Sequence, residues 1–291
     1  MKKHFVVYIF VLFGSILVSC APDGYLDIEK SNLGWQTIEI PPFYGYICGF
    51  EHTETFIQLP VFFNYLGKTY EYSLTASDIA SVTLAGDGIE LICRSFDLHG
   101  HIRNEKYNYT LATFSFLTQL PEAGEYLVNQ LIVELYDGTV ITNALGEILF
   151  IVKPELNVSS LRMRSFMINQ SDPFNLRISF ANTSEYYDIT ILTLSYPKTK
   201  YAGVSVKMFA EFHSQFPESG LTIPPTEERT FHFTFQPNND FFSLDQDKFL
   251  LLRPFVHYYQ NGFVGIIPAQ TQATVVQPPF TIEFILSLFN G

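Results

Sequence analysis

Apolar side chains recur at every second position in short runs that stop at Gly, Pro, Asn or Asp. Ile89, Leu91 and Cys93 share one parity across Glu90 and Ile92, and Tyr70, Tyr72 and Leu74 alternate with Glu71 and Ser73. Further on, Val204, Val206 and Met208 alternate, and Phe231, Phe233 and Phe235 are separated by His232 and Thr234. An extended chain points successive side chains to opposite faces, so each run offers one apolar face to a core. Helical spacing after the first twenty residues is limited to candidate single turns near Ser77–Ala80 and Ser214–Glu218. The expectation is an all-β fold of antiparallel strands stacked as sandwiches.

The punctuation between runs adds detail. Leu131, Val133 and Leu135 lead into Asp137-Gly138, a hairpin turn, and Val140 restarts the pattern. Tyr107, Tyr109 and Leu111 have the opposite parity to Phe114 and Phe116, which predicts a bulge near Ala112-Thr113. Asp97–Ile102 reads as a polar hairpin connection, and Asn182 as a turn after Leu176, Ile178 and Phe180. With 291 residues the chain has material for about two domains. Lys153-Pro154-Glu155, just after the run Glu147–Val152, is the expected junction. It divides the chain into two tandem β-sandwich domains, 34–153 and 154–291.

The N-terminus carries an address. Met1-Lys2-Lys3-His4 precedes an apolar run from Phe5 to Val18, broken only by Gly14 and Ser15. That run is too short for the roughly 20 residues of a membrane-crossing helix and has the form of an export signal. Leu17-Val18-Ser19-Cys20 resembles the lipobox of bacterial lipoproteins. The resemblance implies a signal peptide over 1–19, cleavage before Cys20, acylation of that cysteine and a tether over 20–33. The implied location is extracytoplasmic, held to a membrane of the cell envelope or surface by lipid. An ordinary signal cut near Ala21 is the alternative. Two more stretches resemble immunoglobulin-like domains of bacterial surface proteins. In Leu120-Pro121-Glu122-Ala123-Gly124-Glu125-Tyr126, the resemblance makes Tyr126 a tyrosine corner whose hydroxyl closes a backbone hydrogen bond. Leu221-Thr222-Ile223-Pro224-Pro225 followed by Phe231–Phe235 looks like a proline-led strand of such a sandwich.

With Cys20 assigned to lipid, Cys48 and Cys93 remain, and a disulfide between them suits an exported chain. Two buried thiols acting as small apolar residues is the equal alternative. Cys48, His52, Cys93, His99 and His101 are ligand types that suit zinc, but no metal-binding spacing accompanies them, and no metal or cofactor is expected. Asn238-Asn239-Asp240 with Asp245 and Asp247 departs from the calcium-loop spacing and reads as an acidic turn. No nucleophile elbow, phosphate loop or dinucleotide glycine pattern occurs, so nothing positively indicates an enzyme.

Seventeen basic against 29 acidic residues give a net charge of −12, which repels nucleic acid. Removing residues 1–19 also removes Lys2 and Lys3, so the lipid rather than a basic patch must hold the protein at a membrane. Aromatics offer the candidate binding surface: Tyr44 and Tyr46 in one cluster, and Tyr258, Tyr259 and Phe263 around the Asn261-Gly262 turn. Tyrosine joins an apolar face to a polar tip, useful against protein loops or sugar rings; packing in the cores is the competing use of these rings. The expected role is non-catalytic binding, or assembly at the cell surface, with an envelope protein or glycan as partner. A carbohydrate-active hydrolase with its site between the domains, and a purely structural envelope lipoprotein, are the alternatives.

Overall fold

The alternating runs become strands almost throughout. The computed structural model describes residues 38–39, 43–64, 76–104, 109–155, 159–169, 172–195, 204–209, 217, 219–237, 248–269 and 273–277. The export signal, Cys20 and the tether lie outside the described residues, as do Tyr70, Tyr72, Leu74, the candidate turn near Ser214 and the acidic 238–247 stretch. The described residues form strands and one 3-10 turn, Ala76–Asp78. The protein is all-β.

The first half supplies β1 (Ile38–Glu39), β2 (Phe43–Phe50), β3 (Glu54–Asn64), β4 (Ile79–Gly86), β5 (Ile89–Asn104), β6 (Tyr109–Gln119), β7 (Gly124–Leu135) and β8 (Val140–Lys153). They pair in the order β1-β3-β6-β5-β4-β7-β8-β2. The long strand β5 belongs to both sides of the sandwich: Ile89–Ile92 pair with β4, whereas residues from Cys93 onward pair with β6. A register shift between Cys93 and Ser95 turns that corner, the usual device by which one strand changes sheets. Ile57 and Leu59 of β3, Phe114 and Phe116 of β6, Val82 and Leu84 of β4, and Val133 of β7 meet in one apolar cluster.

Two local expectations are corrected here. Residues 97–102 do not form a hairpin connection; they continue β5, because Leu98 is buried and the strand stays paired to β6. The parity change is absorbed in β5 as well. β6 keeps unbroken register with β3, and the extra residue sits between His99 and Ile102 of β5. The Asp137-Gly138 turn forms as expected. Leu135 N–H donates to Thr139 at 2.9 Å, Gly138 takes φ +86°, and Asp137 Oδ1 accepts from Thr139 N–H at 2.8 Å. Those bonds to its charged form hold the Asp137 carboxyl below the usual aspartate range. Tyr126 hydroxyl donates to the Glu122 carbonyl at 2.9 Å, closing the tyrosine corner.

The second half supplies β9 (Leu161–Asn169), β10 (Asp172–Asn182), β11 (Ile189–Ser195), β12 (Val204–Phe209), β13 (Leu221–Ile223), β14 (Glu228–Pro237), β15 (Lys248–Arg253), β16 (Phe255–Gln260), β17 (Phe263–Pro268) and β18 (Ala273–Gln277). Two four-stranded sheets, β12-β14-β10-β9 and β13-β11-β16-β17, enclose Ile178, Phe180, Ile189, Ile191, Ile223, Phe231 and Val256. Phe180 and Phe231 meet edge to face at 5.6 Å. β15 and β18 do not join this sandwich. They extend the first sheet beyond β2, so the division at 153/154 is crossed by returning strands.

Residues 248–277 are thus one long hairpin whose two halves serve different sandwiches. It leaves the first sheet at Pro254 and returns at Ala269. Ala269 N–H donates to the Pro254 carbonyl at 2.8 Å, and buried Arg253 donates through Nε to the Ala269 carbonyl at 2.5 Å. β2 lies parallel to both β8 and β15, and these three strands are covered on both faces. Phe43, Ile47, Phe150 and Leu251 face the first core, while Tyr46, Cys48, Ile151 and Leu252 face the second. The two cores share a wall.

Candidate binding surface

The junction between the halves is filled. Phe255, at the start of β16, lies against Phe50 of β2 with ring centroids 5.8 Å apart, beside Cys48, Leu252 and Ile151. Arg253 is the charged group enclosed there. Burial pulls its guanidinium down to about 10, and the nearby Cys48 sulfur opposes that shift. Burial also pushes the Cys48 thiol up to about 12, against weaker lowering by a Phe255 backbone hydrogen bond and by Arg253 and Lys153. Cys93 sits in the other core, its thiol likewise raised to about 12 by burial. Of the two alternatives open for Cys48 and Cys93, a disulfide or two buried thiols, the structure has the thiols: both are free. Along β2 the even positions face the second core, whereas Cys93 follows Ile89 and Leu91 into the first, so the shared sheet separates the sulfurs. Among the described residues no three or more His, Cys, Asp or Glu side chains converge as a metal site.

The five aromatic candidates divide in the same way. Tyr46 and Tyr258 are core residues, and Tyr44 is half-buried, its hydroxyl raised by burial and by the charge of Glu147. A Cβ at Gly265 would overlap the Tyr258 ring, so that ring occupies the space over Gly265 and is buried rather than facing solvent. Tyr259 and Phe263 are exposed, at 45% and 68%, and Val264 beside them is similarly open. Asn261 and Gly262, with φ of +46° and +84°, make the two-residue turn whose positive dihedrals suit a twisted hairpin. On the outer face Tyr259 pairs with Val264 on one side and Thr190 on the other, and Thr190 pairs with Thr222.

Beyond the same end of this sheet lies a loop that sequence reading marked only by its first residue, Asn182. Tyr186 and Tyr187 are its exposed members, 78% and 47% open, with ring centroids 6.4 Å apart in an edge-on arrangement. Their backbone is fastened from beneath. Buried Asn182 donates from Nδ2 to the carbonyls of Tyr187 and Ile223 at 2.8 and 2.9 Å, and accepts at Oδ1 from Ser184 N–H at 2.9 Å. Ser184 Oγ accepts from the N–H groups of Tyr186 and Tyr187 at 3.2 and 3.0 Å. Thr183 is tied to Ser160, and Thr226 N–H reaches the Ser184 carbonyl. A loop with this many internal partners presents its rings with little ordering left to do on contact. Register places it next to the Asn261-Gly262 turn: Ile189, two residues after Tyr187, pairs with Gln260, which pairs with Phe263. A sequence signal was present, since Asn182-x-Ser184 followed by two tyrosines combines two side chains that bond local backbone with two rings unsuited to a polar turn.

No family model matches the chain, and no curated protein matches its sequence. Among solved structures it is similar to the D00-D0 domain of intimin, at 10% identity and a TM-score of 0.21, over 84% of this chain and 100% of that one. It is also similar to a chicken TCR, at 10% identity and a TM-score of 0.21, over 79% of this chain and 97% of that one.

Proposed function

We propose that the protein is a lipid-tethered, extracytoplasmic binding protein without catalytic activity, holding an envelope or surface component through the loop end of its second sandwich. The observation that carries this reading is the exposure of Tyr186 and Tyr187 on a loop secured by Asn182 and Ser184, next to exposed Tyr259 and Phe263. Exposed large rings on a preorganised backbone are the composition of a contact surface.

Chain direction supports it. β2 begins at Phe43, separated by three residues from β1, the strand nearest in sequence to the tether, and runs parallel to β15 toward the second sandwich. From Phe249, opposite Phe43, the hairpin continues to Gln260, an extended span of at most about 37 Å. A chain anchored at Cys20 would enter at one end and present its rings at the other. The sandwiches are joined by a shared hairpin rather than a loose linker, so that reach is fixed rather than averaged over linker conformations.

The test is chemical crosslinking on intact cells that express the wild type, Cys20→Ala or Y186A/Y187A, with intact-mass analysis of the first two. The expected result is a mass increase of acyl chains on wild type that Cys20→Ala lacks, and a crosslinked neighbour that Y186A/Y187A loses. An unmodified wild type defeats the anchor, and an unchanged neighbour in Y186A/Y187A defeats the binding surface.

A further inference from the structure

Building on the binding reading above, we infer that the Tyr186-Tyr187 loop receives a basic protein segment, a stretch of a partner bearing Arg or Lys. The two rings are flanked directly by Glu185 and Asp188, both exposed. Residues 182–190 and 259–264, which form this end of the sheet, contain those two carboxylates and neither Lys nor Arg. The Ser184–Thr226 backbone bond brings Glu227 and Glu228 close in the chain, with Arg229 paired to Glu227 at 2.8 Å. A net charge of −12 gives the whole molecule the same sign.

What the loop has left to offer decides between partner chemistries. The neutral side chains that fasten the loop are already committed: the Asn182 amide through both Oδ1 and Nδ2, and Ser184 Oγ to two backbone donors. What faces outward is two aromatic rings and two carboxylates. The carboxylates of Glu185 and Asp188 make no hydrogen bond or ion pair among the described residues, and tyrosine faces attract cations. A guanidinium seated on a ring between two carboxylates would meet both attractions. Charge complementarity of this kind sets partner choice and encounter rate, and it weakens with salt.

The experiment is a fluorescence-anisotropy titration of the detergent-solubilised full chain with a labelled peptide of alternating Arg and Gly. A peptide with Glu in place of Arg and a labelled neutral glucose oligosaccharide are run in parallel. The basic peptide is expected to bind, more weakly at high salt, and at least about fivefold more weakly to Y186A/Y187A and to E185Q/D188N. Neutralising distant exposed acids in D87N/E90Q should leave binding unchanged, which separates the loop from the general negative charge. Equal binding to all variants overturns the inference. So does binding of the oligosaccharide alone, or of neither probe. In those cases a crosslinked neighbour still lost from Y186A/Y187A on cells keeps the binding reading; a neighbour retained removes both.

Discussion

Tyr258 and Tyr259 are adjacent in the chain and end in opposite environments, and the contrast between the buried junction and the open loop end starts there. Tyr258 lies over Gly265 inside the second sandwich, with Ile191 as its strand partner. Tyr259 stands on the outer face beside Val264. Both regions are rich in aromatic residues, and the amino-acid types alone do not tell them apart. What separates them is how many faces of each strand are covered. At the junction β8, β2 and β15 have neighbours above and below, so Phe50 and Phe255 are consumed in packing. At the loop end the outer face of β16 has no covering layer among the described residues, and rings held there remain available.

The largest effect that would sharpen this contrast comes from Phe255→Ala. Removing a ring packed on Phe50 between the halves should cost about 3–5 kcal/mol. Because the hairpin 248–277 serves both sheets, urea unfolding followed by far-UV circular dichroism should show one transition moving to lower urea. Two separated transitions, with only one displaced, would mean that the halves are energetically independent. Asn182→Ala should come next, at about 1–3 kcal/mol, because two carbonyls and one N–H lose a buried partner. This variant should also loosen the loop and raise amide hydrogen exchange at Ser184–Tyr187. Unchanged exchange there would show that the bonds from Ser160 and Thr226 suffice without it.

Much of the fold was legible because its signals are local. Period-two runs gave the strands, Asp137-Gly138 and Asn261-Gly262 gave turns, and Leu120–Tyr126 gave the tyrosine corner. The junction was less legible because it depends on pairings distant in sequence. Phe43–Phe50, Ile148–Val152 and Phe249–Leu252 are nearly continuous apolar runs, the pattern of strands buried on both faces. Cys48 shares its parity with Tyr46 and Phe50, yet parity cannot say which core lies on that side. Nor does any local feature near Pro254 announce that β15 returns to the first sheet; that follows from register with β2 some two hundred residues earlier. The loop tyrosines were passed over because a polar turn around Asn182 explained the stretch without them.

Acid should act on the junction through His257. Partial burial, and then the charge of Lys153, hold its imidazole below the ordinary value of 6.5. A depressed pKa in the folded state means that the unfolded chain takes up the proton first as pH falls. The associated stability is therefore complete above about pH 6.5 and declines below it. Between pH 7 and pH 5 the wild type should lose more stability than His257→Gln, measured as the shift in urea midpoint. Parallel losses in the two proteins would assign the acid sensitivity to other groups.

The smallest expected change in stability belongs to the residues given the largest role in binding. Tyr186 and Tyr187 contact each other at the surface, and their backbone bonds do not involve their rings. Y186A/Y187A should therefore lie within about 0.5 kcal/mol of wild type in urea unfolding, as exposed substitutions generally do. This near-neutrality is informative because folding alone gives a chain little reason to keep two adjacent rings in water. A loss of several kcal/mol would place the pair among the packed aromatics with Tyr258 and erase the difference between the two regions. A neutral result alongside a lost crosslinked neighbour would separate what holds this molecule together from what it holds.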